Sequence, residues 1–336
     1  MKIKWLGLVL ILACSAQQDK SKTKINGLCL VAPPYEISAT DYTPILQVHA
    51  NWVAVIPYAF CSPDQPKVQF NSPRQWIGET TAGITQAISL AHDAGLQVML
   101  KPHLWVKGQG WAGDLDFETE EQVAIWMESY TAYLLHFVQV ATDQQVEMIS
   151  IGTEIRQLAN KYPNYWKDLI VQVRSIYPGV ITYSANWDNY QHIKFWKDLD
   201  YIGIDAYFPS SKSKTPTTSE WIEANQNTKE QLKQLAKSYD KQVLFTEFGF
   251  ESIDYCARGH WEPNKKDKEI NEQGQANAYE GLLHSYWTED WLAGGFAWKW
   301  HYKHAEAGGA NHSAFTPQNK MAEKILRNEY FKHSRH

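Results

Sequence analysis

Eight short apolar runs, rich in β-branched and aromatic residues and separated by longer segments of helical period, constrain this chain more than any other feature. The runs occupy 26–32, 52–58, 97–102, 148–153, 180–185, 201–206, 242–246 and 294–299. Strands that read as continuous apolar stretches are buried on both faces, the condition of a parallel sheet covered by helices. Helical segments are read at 80–94, 119–142, 165–177, 219–239 and 272–288, with a last amphipathic stretch at 319–327. Gly95 and the Pro178-Gly179 pair stop two of them. The first and fifth crossovers, near 41–47 and 192–196, are weaker and read as single turns. Eight such units predict one α/β domain, a closed (β/α)8 TIM barrel. The competing architecture, an open doubly wound sheet, lacks a glycine-rich phosphate loop after the first strand.

The composition suits a single large core, with 44% hydrophobic and 21% charged residues in a chain of 336. A net charge of -5 leaves no basic footprint for a nucleic-acid partner. Lys2 and Lys4 precede an apolar stretch ending at Cys14, the pattern of an export signal that is too short to span a bilayer. Ile11-Leu12-Ala13-Cys14 resembles the bacterial lipobox, whose cysteine is lipidated and becomes the new N-terminus; an ordinary signal peptide is the alternative. The division is therefore signal 1–14, polar tether 15–24 and barrel 25–336. It implies an exported protein, anchored at a periplasmic or cell-surface membrane by lipid alone, with no obligate protein partner evident. Three cysteines remain after Cys14. Cys29 lies in an apolar run and reads as a small buried hydrophobe. Cys61 and Cys256 are open to pairing or to remaining free, and no zinc spacing exists among the three.

Active groups of a barrel stand where strands end. Run 148–153 passes directly into Glu154, and run 242–246 directly into Glu247. Retaining glycoside hydrolysis needs two carboxyl groups about 5 to 5.5 Å apart, one ionised for attack and one protonated to release the leaving oxygen. Two strand-end glutamates aimed across one mouth supply such a pair. Mutual repulsion raises one pKa and leaves the other group ionised. Local sequence does not say which is which, because both follow threonine and both leave an apolar strand. The bland alternative makes Glu154 a helix N-terminal carboxylate or a partner of Arg156, and Glu247 a rim ion pair.

Sugars present flat CH faces between hydroxyls, so their sites combine aromatic platforms with polar rims. Several of the 15 tryptophans follow strands: Trp105 and Trp111 in the third loop, Trp187 in the fifth, Trp261 in the seventh, Trp298 and Trp300 at the eighth. Trp126, Trp166, Trp196, Trp221, Trp287 and Trp291 fall on helices or their ends and read as core. The polar candidates are Lys101, His103, Asn186, Asp188, Asp205 and Tyr207; a tyrosine there donates to the nucleophile and helps keep it ionised. The expected substrate-binding set is Lys101, His103, Trp105, Asn186, Trp187, Asp205, Tyr207 and Trp298. Metal hydrolysis lacks His-x-His and His-Glu-x-x-His, and Gly-x-Ser-x-Gly is absent. Asp114, Asp116 and Glu118 have a calcium-like spacing without the central glycine and read as a loop leading into a helix.

The order of motifs, Lys-Pro-His-Leu-Trp at 101–105, Gly-Thr-Glu at 152–154, Asp-Ala-Tyr at 205–207, Thr-Glu-Phe-Gly-Phe at 246–250 and Ala-Trp-Lys-Trp at 297–300, resembles clan A of the glycoside hydrolases, most closely family 113. The resemblance runs from Ile25 to about Phe331. It implies a (β/α)8 enzyme that cleaves β-1,4-mannans with retention and without a cofactor, Glu154 being the acid/base and Glu247 the nucleophile. One departure stands out: the clan's common pattern has asparagine before the acid/base, where this chain has Thr153. Two other readings stay open, a retaining β-glycosidase acting on another β-linked glycan and a saccharide-binding lipoprotein without turnover.

Overall fold

The computed structural model describes residues 23–259 and 268–334; Cys14, its flanking signal and Trp261 lie outside them. The strands are β1 Ile25–Leu30, β2 Trp52–Val55, β3 Tyr58–Ser62, β4 Gln65–Gln69, β5 Gln97–Leu100, β6 His103–Val106, β7 Met148–Thr153, β8 Val180–Asn186, β9 Ile202–Asp205, β10 Val243–Phe248 and β11 Leu292–Trp300. The helices are α1 Thr43–Gln47, α2 Thr81–Asp93, α3 Glu120–Asp143, α4 Arg156–Lys161, α5 Pro163–Ile176, α6 Thr218–Ala224, α7 Gln226–Tyr239, α8 Glu272–Tyr286 and α9 Met321–Lys332.

Eight strands close a parallel barrel in the order β1-β2-β5-β7-β8-β9-β10-β11, with β11 returning to β1. Every strand read from the sequence is in it. β1, β7 and β10 are buried at every position, as two-sided coverage requires. Their pleat sorts side chains into two cores. Val98, Ile149, Ile181, Ile202 and Phe245 face the helices, whereas Cys29, Ala54, Met99, Met148, Leu244 and Phe296 fill the barrel.

The first crossover is a 3-10 turn, Ala39–Tyr42, running directly into α1, more than the single turn expected, and the fifth consists of two short 3-10 turns. The segment 219–239 is two helices rather than one. Asn225 separates them, donating its side-chain amide to the carbonyl of Trp221 at 2.9 Å in competition with the backbone ladder. The acidic stretch before α3 is a helix start: Thr119 and Gln122 form a reciprocal capping box. Asp114 and Asp116 pair with Arg156 and Lys161, and no metal-binding cluster occurs among the described residues. Cys29, Cys61 and Cys256 are all free thiols.

A small sheet of order β4-β3-β6 stands beside the barrel mouth. The sequence reading ran the second strand on to Tyr58 and left 103–106 in a loop. Instead Tyr58 pairs with His103 and Phe60 with Trp105. Its sign was present in two β-prone runs around Pro63-Asp64, a hairpin pattern.

Candidate active site

Side-chain parity brings most of the site together. On β7, Met148 and Ser150 point into the barrel, and the same alternation carries through Gly152 to Glu154. Lys101 follows Met99 on β5, and Asp205 follows Gly203 on β9. Glu247 is out of phase with Leu244, and the register slips between Phe245 and Glu247 where β10 meets β9. That bulge turns Glu247 inward while Phe245 and Phe248 stay in the outer core. Glu154 takes a left-handed backbone, φ +53°, a conformation non-glycine residues adopt at a cost and one that clusters at functional sites.

Glu247 is enclosed by donors. The Lys101 ammonium contacts its Oε1, and the Tyr207 hydroxyl donates to Oε2 at 2.6 Å. His103 Nε2 lies 3.3 Å from Oε1, though off the line of a directed hydrogen bond. Burial alone would raise the Glu247 pKa, but Lys101 and His103 outweigh it and hold the carboxyl below its usual range. Lys101 and Asp205 correct the expectation of a sugar-contacting rim, since neither has any exposed surface. Lys101 donates to both Asp205 oxygens, at 3.0 and 3.3 Å, and Thr246 donates to Oδ1 at 2.7 Å. The pair forms a buried support beneath Glu247. Burial, then the adjacent carboxylates, raise the Tyr207 pKa far above that of a free phenol, so it remains a donor.

Glu154 has the opposite surroundings. Burial first, then Asp205 and Glu247, push its pKa well above the ordinary carboxyl value. Its carboxyl accepts from the Trp111 indole, which donates to Oε2 at 2.5 Å. Arg156 does not pair with it, so the bland reading of Glu154 as an arginine partner fails. Thr153, where the clan has asparagine, directs its hydroxyl to the Pro102 carbonyl at 3.1 Å.

The aromatic expectations divide. Trp298 stacks on His103, with ring centroids 5.9 Å apart and planes 8° from parallel, and Trp105 is 51% exposed. Both line a cavity of about 770 Å³ walled by β3, β4 and the ends of β1 and β11. Trp187 is half-buried against the outer core, and Asn186 donates to Asp188 at 2.9 Å. Trp300 is fully buried in the outer core, because β11 shifts register against β1 just before it. Five of the six tryptophans read as core are fully buried, and Trp291 is half-buried against the same cluster. The sequence reading missed Trp76, 52% exposed in the cavity wall, whose signal was an indole in a polar, proline-containing loop. It also missed Tyr58, Arg74 and Lys299 in the same lining.

The arrangement sets one carboxyl whose pKa is held down beside one whose pKa is raised at a shared mouth, with an aromatic cavity alongside. The model of Glycoside Hydrolase Family 113 matches residues 36–320. A GH113 β-mannanase from Alicyclobacillus acidocaldarius, solved with ManMIm, superposes with a TM-score of 0.80 at 23% identity, over 93% of this chain and 99% of that one. A second GH113 β-1,4-mannanase gives 0.77 at 22% identity, over 92% and 99%. A β-glucuronidase from Ruminococcus gnavus gives 0.64 at 13% identity, over 92% of this chain and 50% of that one. No curated protein matches the chain.

Proposed function

The chain belongs to glycoside hydrolase family 113, and from that premise we propose that it cleaves β-1,4-mannosidic linkages with retention, through a glycosyl ester on Glu247. The observation that carries the mechanism is the contrast between the two carboxyls: Lys101 and Tyr207 keep Glu247 a nucleophile, while burial keeps Glu154 an acid. In the first step Glu247 attacks the anomeric carbon as Glu154 gives its proton to the leaving oxygen. In the second, Glu154 takes a proton from water and the ester is hydrolysed. Trp298, Trp105 and Trp76 supply apolar faces for neighbouring rings. The two similar β-mannanases support mannan as the polymer.

The test is incubation of purified protein with mannan, glucomannan and manno-oligosaccharides, following new reducing ends and the product anomer by NMR. Release of the β-anomer first is the expected result. Binding without products, or initial release of the α-anomer, overturns the reading. Export and lipid attachment at Cys14 belong to the same proposal, supported by the lipobox-like Ile11–Cys14 sequence. Mass spectrometry of the membrane-extracted N-terminus checks it; an unmodified Cys14 rejects it.

A further inference from the structure

Trp111 reaches Glu154 from the N-cap of a single 3-10 turn, Ala112–Asp114, and neighbouring groups hold its indole in place. The ring is bounded on one side by Gly113, where a Cβ would fall 2.2 Å from Trp111 Cζ2. The Arg156 guanidinium lies over the ring with its Cζ 4.9 Å from the centroid, a cation–π contact. Arg156 stands two residues after Glu154, at the start of α4. Its Nη2 donates to Asp114 Oδ1 at 2.6 Å and its Nη1 to Asp188 Oδ2 at 3.0 Å. Asp188 is in turn fixed by Asn186. One planar cation therefore ties together the loops following β6, β7 and β8, around the indole that touches Glu154.

We infer that Arg156 is a positioning residue: clamped between Asp114 and Asp188, it aims the Trp111 N–H at Glu154 Oε2 and leaves Oε1 to meet the leaving oxygen. Arg156 acts through Trp111, not by touching the substrate. The inference rests on the reading of Glu154 as the acid/base. It gives the indole two tasks in the cycle. It fixes the carboxyl rotamer while Glu154 is protonated, and it stabilises the carboxylate left after proton transfer. The other groups facing Glu154 are Lys101, Asp205, Glu247 and the phenols of Tyr183 and Tyr207. None of them belongs to the clamp.

The experiment follows the Trp111 indole N–H resonance in ligand-free, ¹⁵N-labelled protein, identified by its loss in Trp111→Phe. In the wild type this resonance should titrate with Glu154, and Glu154→Gln should abolish the titration. Arg156→Lys keeps the charge but not the two-sided bridge. It should remove the titration, and it should move the alkaline limb of kcat/KM up by about one pH unit, as Trp111→Phe does. The direction follows because losing a donor to the carboxylate raises the Glu154 pKa. In the double variant Trp111→Phe/Arg156→Lys the limb should rise no further. A titration that persists in Arg156→Lys overturns the inference, as do limb shifts that add in the double variant. So does a shift seen in Arg156→Met but absent from Arg156→Lys, which would mean a direct effect of charge. The resonance reports whether or not mannan is cleaved. A wild type without turnover but with the expected titration rejects the proposed function and leaves the clamp standing.

Discussion

The surroundings of Glu247 and of Glu154 differ as much as two carboxyl environments at one barrel mouth can. Glu247 rests on a buried ammonium, is met by a phenol and sits over a floor of Asp205 and Thr246. Glu154 meets one indole and two nearby carboxyls, with its cationic neighbour Arg156 spent on Asp114 and Asp188. Both are glutamates after threonine at the end of an apolar strand. The difference shows that chemical role here is assigned by where the cation is spent: Lys101, at the end of β5, reaches across the barrel to bond Asp205 and Glu247, and Glu154 on the neighbouring β7 feels it only through space.

The contrast can be broken from either side. Glu247→Gln removes the nucleophile, and turnover of manno-oligosaccharides should fall roughly 10⁵-fold with the fold intact by circular dichroism. Glu154→Gln should cost about 10² to 10⁴-fold on natural substrates. On an aryl glycoside with an acidic phenol as leaving group, the burst of phenol should survive, because the first step no longer needs a proton; loss of the burst would place Glu154 elsewhere. Lys101→Met tests what makes the two carboxyls unlike. It strands Asp205 and Glu247 without a counter-charge, so unfolding free energy should drop by about 3–5 kcal/mol in a denaturant titration. The acid limb of the rate profile should move to higher pH, because Glu247 must now be ionised without help, and kcat should fall about 10² to 10³-fold. Tyr207→Phe removes one donor to the same carboxylate and should shift that limb upward by about one pH unit.

The smallest effect is on stability. The folded-state pKa of Glu154 lies above its unfolded value, so its favourable contribution is complete below the unfolded value and is lost as pH rises through the folded one. Glu154→Gln escapes that loss. Its unfolding free energy should match the wild type near pH 4 and exceed it by about 1 kcal/mol at alkaline pH. Equal stability at both pH values would mean that Glu154 is not held protonated by burial.

Much of this was legible before the fold. The eight strands and the sorting of core tryptophans follow from period and burial, which local sequence encodes directly. Elsewhere, neighbours decide. Trp300 leaves the mouth because of a register shift between β11 and β1, and a register shift is a property of a strand pair. The β4-β3-β6 sheet was missed because its central strand, β3, pairs with a segment forty-five residues away by the Tyr58–His103 register. Lys101 and Asp205, expected at the sugar, lie buried beneath Glu247, and only three-dimensional packing sets the depth of a charged group.

The sequence alone determined the alternation of elements, hence the barrel, and placed Glu154 and Glu247 at strand ends, because backbone period and strand termini are local properties. It left the two glutamates equivalent. Only the tertiary structure made them different, by bulging β10 so that Glu247 turns onto Lys101 and by closing a tryptophan loop over Glu154. The physical reason is that a carboxyl's charge state depends on burial and on groups brought within a few ångströms by distant parts of the chain.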